Sequence, residues 1–195
     1  MSVDEKITKE TIFKTAARLF AKKGYNGVSM REISEMSNVS KPTIYYYFGS
    51  KDGIYEQLMD TGIDHIQHML EEVSEMPISA KEKLTQITKR VFKETGENPD
   101  YIKLFISMSQ ASGDSAVSDK CRRHVEETSE LVKQIIRDGV QTGEFGAGAS
   151  PELAAEIFGG VIMNFVWKQL ASKEKILSDQ LAENIIELLF KGLNE

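Results

Sequence analysis

The chain has 195 residues, 41% apolar and 28% charged, which fits a globular protein of one or two domains and excludes disordered and fibrous classes. A single cysteine, Cys121, excludes an internal disulfide, and the N-terminal MSVDEKITKE carries charge where a secretory leader needs an apolar run. The longest apolar run, residues 157–166, is too short to span a membrane, so the chain is expected in a reducing cytoplasm with no membrane partner.

The net charge of −6 argues at first against a nucleic-acid partner, but the charge is unevenly placed. Residues 1–52 hold nine Lys and Arg against six Asp and Glu, a net +3 that leaves −9 for the rest of the chain. A basic end on an acidic body steers one end towards phosphate and repels the other.

Strand alternation is absent and strong breakers recur at roughly 15 to 30 residues, so an all-α fold is expected. The first helix runs from about Thr8 to Lys23, with Ile12, Ala16, Leu19 and Phe20 as its apolar stripe. Gly24 ends it, behind Lys22 and Lys23 in the last turn. Ser29 and Glu32 form a capping box that opens a second helix ending near Met36. Asn38 lies in the turn that follows, where it is expected in the left-handed conformation. Ser40 caps a third helix, Pro42 fits its first turn, and Gly49 stops it. A fourth helix starts at Ser50 and ends ahead of Pro77, about 39 Å long at 1.5 Å per residue, with Gly62 its one weak point. Breaks at 96–99, 113–114 and 143–151 delimit helices over about 79–95, 100–112, 115–141, 151–172 and 178–193.

The last two helices are apolar on more than one side. Leu153, Ile157, Phe158, Val161, Ile162, Phe165 and Val166 spread around 151–172, and Leu181, Ile185, Ile186, Leu188 and Leu189 around 178–193. Gly159 and Gly160 weaken the first of these by roughly 1 kcal/mol each and leave room for close approach of another helix. Two apolar faces need two partners, so a homodimer through 151–172 and 178–193 is expected.

The segment from Val28 to Lys51 carries the functional signal. On a wheel of 100° per residue, Ile44 and Phe48 fall about 40° apart and define a buried side. Pro42, Thr43 and Tyr46 fall opposite, flanked by Lys41, Tyr45 and Tyr47. A two-turn helix that points hydroxyls, rings and a cation outward suits the major groove of double-stranded DNA. Lys41 is placed for a guanine edge or a phosphate, and Tyr45 and Tyr47 for phosphates and sugars. Arg31 reaches from the preceding helix, and Lys51 stands beside the free amides of the fourth.

On these residues the chain resembles the TetR family of bacterial transcriptional regulators. The resemblance rests on Ala16 to Tyr25, Ser29 to Ser34 and Val39 to Tyr55, and more weakly on the turn formed by Val140 and Thr142 to Phe145. It implies a helix-turn-helix DNA-binding domain over 1–50 joined to a larger helical bundle over 51–195 that binds ligand and dimerises. The implied function is a sequence-specific regulator that represses from a palindromic operator and is released by a small-molecule effector. Control by a protein partner is the alternative. The implied DNA contacts are Arg31, Lys41, Thr43, Tyr45, Tyr46, Tyr47 and Lys51, to which the wheel adds Pro42. Gly49 stands where many members have Lys, and Asn38 where many have Gly.

No catalytic constellation, metal site or cofactor is expected. Cys121 and His124 share one helix with no acidic orienter and are expected at its surface. His65 and His68, near Asp64 and Glu72, read as solvated, and Gly146 and Gly148 follow no strand. A largely apolar effector is expected against Phe92, Tyr101, Phe105, Met108, Met163, Asn164 and Trp167, with Asn164 and Trp167 supplying polar groups.

Overall fold

The computed structural model describes residues 3–110, 116–146, 148 and 150–194. Among the described residues the chain forms nine α-helices and no strand. They are α1 (Val3–Lys23), α2 (Met30–Ser37), α3 (Lys41–Phe48), α4 (Lys51–Glu75), α5 (Ala80–Glu97), α6 (Pro99–Ser109), α7 (Ala116–Gln141), α8 (Pro151–Ala171) and α9 (Asp179–Asn194). α1 starts earlier than expected because no Gly or Pro separates Val3 from Thr8. The other described boundaries fall within about three residues of expectation, the ordinary scatter at helix ends. The break expected at Gly113-Asp114 lies outside the described residues.

The helices gather into two compact units, one of Met1–Asp64 with Asp100–Cys121, the other of His65–Pro99 with Arg122–Glu195. In the first, α2 packs on α1 and α3. The expected stripe of α1, Ile12, Ala16, Leu19 and Phe20, is buried against Ile33 of α2 and Ile44 and Phe48 of α3. Ile54, Leu58, Met59 and Ile63 of α4, Leu104 of α6 and Cys121 of α7 complete this core. Burying a Leu or Ile side chain stabilises by about 1.5–3 kcal/mol, so α2 and α3, too short to persist alone, are held by packing.

In the second unit α5 packs against α9 and α8. Leu84, Ile87 and Phe92 of α5 are buried, as are Ile136 of α7, Phe158 and Ile162 of α8, and Ala182, Ile186 and Phe190 of α9. Lys81–Glu187 and Lys89–Glu183, each 2.6 Å apart, link α5 and α9 at the surface, where such pairs add little. The turn after α7 has a structural task of its own. Gly143 takes φ +77°, and the Glu144 carboxylate accepts the Ala80 and Lys81 backbone N–H groups at the start of α5, at 3.2 and 3.3 Å. An anion there satisfies free amides and suits the helix dipole. Phe145 then lies over Gly139, whose missing side chain leaves the space: a Cβ at 139 would sit 2.2 Å from the ring.

α8 buries Ala154, Ala155, Phe158, Ile162 and Val166 and leaves a second apolar stripe exposed. Leu153, Ile157, Met163 and Trp167 are exposed on it, 62, 45, 37 and 44% respectively, and no described neighbour lies against Gly159 or Gly160. Leu188 of α9 is 70% exposed.

Candidate nucleic-acid interface

Local chemistry shapes this region. Ser29 caps α2 by accepting the Glu32 N–H at 3.2 Å, while the Glu32 carboxylate takes the ammonium of Lys23 from the end of α1. Asn38 adopts φ 55° and ψ 31°, the left-handed conformation expected of it, and reverses the chain between α2 and α3. The Ser34 hydroxyl donates to the Val39 carbonyl at 2.7 Å and fastens the turn. Ser40 then caps α3, accepting the Thr43 N–H at 3.3 Å and sharing a hydroxyl–hydroxyl bond with Thr43 at 2.7 Å. Gly49, at φ 70°, ends α3 and returns its N–H to the Tyr45 carbonyl.

The orientation of α3 follows from its apolar pair. Ile44 and Phe48 are buried, which turns Tyr46 outward, 80% exposed, with Tyr45 48% exposed beside it. Lys41 and Pro42 are exposed, and Thr43 and Tyr47 are half-buried at the edges. The Tyr46 and Tyr47 rings meet edge to face at 5.2 Å, and the Lys9 ammonium of α1 stands 5.6 Å from the centre of the Tyr47 ring. Arg31 is exposed on α2, its Nε 2.7 Å from Glu35, whose carboxylate raises its already high pKa.

Lys51 is placed differently from expectation. Its ammonium donates to the Tyr25 and Val28 carbonyls, each at 3.0 Å, and lies 4.1 Å from the centre of the Tyr25 ring. Two of its three N–H groups are thereby spent on the loop between α1 and α2. The Tyr25 hydroxyl donates to Asp52, the next residue of α4. Burial first, then that carboxylate, pushes Tyr25 up to about 12, so it remains a donor at neutral pH. The Tyr25 ring also meets Phe20 at 5.8 Å and Tyr55 at 5.0 Å. This lock between α1, its loop and the start of α4 escapes sequence reading, because carbonyl acceptors leave no trace in residue identity. The nearest signal is the Tyr25 and Lys51-Asp52 pairing of an aromatic with charges at two chain breaks.

The other expected residues fall in separate places. In the first unit, Tyr101, Phe105 and Met108 of α6 pack on the core. In the second, Phe92 is buried, while Met163, Asn164 and Trp167 are exposed on α8. Cys121 and His124 are not at the surface as expected: both are buried, because the apolar face of α7 turns them inward. Burial pushes the Cys121 thiol up to about 11 and lowers the His124 pKa, so neither is an activated group. His65 pairs with Glu94 at 3.0 Å and His68 with Glu72 at 3.7 Å, and no cluster of three metal-ligating side chains occurs among the described residues. No helix among them is long and apolar enough to cross a membrane.

A capped two-turn helix, a left-handed turn and a second capped helix with an outward aromatic and basic face constitute a helix-turn-helix reading head. Residues 12–58 match the family described as bacterial regulatory proteins, tetR family, and residues 80–185 match the tetracyclin repressor-like C-terminal domain. The chain belongs to the tetR family and is a DNA-binding transcriptional regulator. It is 22% identical over 183 residues to the fatty acid metabolism regulator protein of Bacillus subtilis, covering 94% of each chain. Its fold is similar to that of a putative fatty acid metabolism regulator of Clostridium perfringens, with a TM-score of 0.80, 24% identity, and coverage of 93% of this chain and 97% of that one. It is also similar to the regulator FadR of Bacillus subtilis in complex with stearoyl-CoA, with a TM-score of 0.72, 25% identity, and coverage of 94% and 98%.

Proposed function

We propose that the chain is a cytoplasmic homodimeric repressor that leaves a palindromic operator when an acyl thioester binds its C-terminal helical domain. The observation that carries the DNA reading is Tyr46, 80% exposed on a helix held in place by Ile44 and Phe48. Arg31, Lys41, Pro42, Thr43, Tyr45, Tyr46 and Tyr47 would contact DNA, with Tyr46, Pro42 and Thr43 in the groove and the others on phosphate and sugar. Lys51 serves the same face by holding the loop between α1 and α2 and not by touching a phosphate. In the proposed boundaries, residues 1–50 read DNA and residues 51–195 bind ligand and dimerise.

The ligand class is supported by likeness along nearly the whole chain to a regulator bound to stearoyl-CoA. The dimer is supported by the exposed stripe of α8. Leu153, Ile157, Asn164 and Trp167 repeat at helical spacing along it, an apolar stripe of the kind that a second copy of the chain covers. Asn164 and Trp167 are therefore assigned to the dimer contact, and Tyr101, Phe105 and Met108 kept for the effector. Two recognition helices tied in this way would enter successive major grooves about 34–36 Å apart. α4 begins three residues after α3 ends, so a ligand that shifts α4 changes that spacing. Release then requires that ligand and operator prefer different spacings, and the two effects must be reciprocal.

Selection from random DNA duplexes across a salt series tests the reading. The wild-type chain is expected to select a palindrome with a steep salt dependence, and Tyr46→Ala to lose that selection while keeping its fold. Indifference to sequence in both proteins would refute the DNA reading. A thioester that binds without weakening operator affinity would refute the release mechanism.

A further inference from the structure

Two phenol groups in the first unit are at odds with their surroundings. The hydroxyls of Tyr55 on α4 and Tyr101 on α6 are buried and have no hydrogen-bond partner among the described residues. Tyr55 as a whole is only 6% exposed. A buried hydroxyl without a partner is costly, about 1–3 kcal/mol, and native proteins retain few of them. Neither residue is needed as a tyrosine for packing alone, since Phe fills the same core. Both lie in one cluster with Cys121, Leu104 and Phe105.

We propose that Tyr55 and Tyr101 form the polar end of the effector site and donate to an uncharged acceptor oxygen, the thioester carbonyl of an acyl ligand. The inference rests on the acyl-thioester reading above and names the residues that recognise the linkage. Three observations favour a neutral oxygen over a carboxylate. The charges that act on the Tyr101 hydroxyl are acidic, Asp60 and Asp64, and the nearby Lys120 is already paired with Asp60. Burial raises the pKa of both phenols, Tyr55 to about 12, so both are donors at neutral pH. Cys121 is likewise a neutral thiol. A carboxylate placed here would be buried, unpaired and repelled. Apolar side chains of the same cluster, Phe105, Met108 and Val117, suit a hydrocarbon chain.

The position also links the site to DNA. The Tyr55 ring meets Phe20 at 5.2 Å and Tyr25 at 5.0 Å, and Tyr25 is the ring on which Lys51 rests. Tyr101 lies across Gly62 of α4, where a Cβ would sit 1.8 Å from the hydroxyl oxygen. An acceptor that draws the two phenols to itself would therefore act on α4 at two points and on the lock behind α3.

The test uses the full chain with butyryl-, decanoyl- and stearoyl-CoA, the matching free acids, and CoA alone. Affinity and Tm are measured for wild type, Tyr55→Phe and Tyr101→Phe. The wild-type chain is expected to bind at least one thioester more tightly than its free acid or CoA alone. Each variant is expected to lose about tenfold in thioester affinity, the effect of one hydrogen bond of roughly 1.4 kcal/mol, with Tm unchanged or raised. A lower Tm in both variants would show that the hydroxyls were already satisfied, by an ordered water, and would overturn the site. Unchanged affinity in both would overturn the site and leave the acyl-thioester reading standing. Absence of thioester binding to the wild-type chain would overturn both.

Discussion

Tyr46 and Ile44 are two residues apart on α3 and do opposite things. Ile44 is fully buried, and its truncation to Ala is a core cavity worth about 2–5 kcal/mol. Tyr46 projects into solvent, where truncation changes stability by no more than about 0.5 kcal/mol. Helical period alone separates them, which is why this part of the site is legible in the order of residues. Lys51 is not legible in that way. Its charge beside a helix start matches a phosphate contact as well as it matches the two carbonyls and the ring on which it rests. The two roles separate experimentally. Lys51→Gln is expected to lower unfolding stability by about 1–2 kcal/mol, because two charge-assisted hydrogen bonds are lost from a partly exposed site. Its slope of log affinity against log salt should stay near that of wild type, whereas Lys41→Ala should reduce it by about 1. Denaturant titration and operator binding at several salt concentrations decide the matter, and a reduced slope in Lys51→Gln would return it to the phosphate contacts.

At the scale of elements, capping residues are the reason that so much of the fold is legible. Ser29, Ser40, Ser79 and Ser150 each accept a backbone N–H at the start of a helix, and Asn38 and Gly49 take positive φ at a helix end. These bonds span only three or four residues, so sequence spacing reports them. The turn after α7 shows the limit. Its Gly and Phe announce a break, but Glu144 caps α5 from 64 residues away, and Gly139 is small because Phe145 lies on it. Gly139→Ala is therefore expected to destabilise the second unit by about 1–3 kcal/mol through overpacking, although Ala is the better helix former. Thermal unfolding checks this: a raised Tm would mean that the Phe145 ring moves aside at no cost. α7 shows the same limit at Cys121 and His124. Both are residues of ambiguous polarity, and the face they take is set by the neighbours of α7.

For the whole molecule, the exposed stripe of α8 decides the expected behaviour in solution. Leu153 and Trp167 stand at its two ends. Replacing both with Glu places like charges in the proposed dimer contact, and is expected to give a monomer by light scattering with unchanged helical circular dichroism. Operator affinity should fall by about 10²-fold or more, because two tied reading heads gain an effective concentration that a single head lacks. A variant that remains dimeric would place the contact elsewhere.

The order of the 195 residues is sufficient for an all-helical chain, a helix-turn-helix near its N-terminus, and the outward face of α3. Each of these depends on interactions within about one or two helical turns, which periodicity and caps encode directly. The remainder depends on which distant segments meet. Packing alone turns Trp167 and Asn164 outward on α8, ties Lys51 to the loop behind α1, and leaves the hydroxyls of Tyr55 and Tyr101 buried without partners among the described residues. An amphipathic residue such as Tyr, Lys or Trp suits an interior edge, a protein contact or a ligand equally well. Its role is settled by neighbours brought from elsewhere in the chain, and no spacing within its own helix records them.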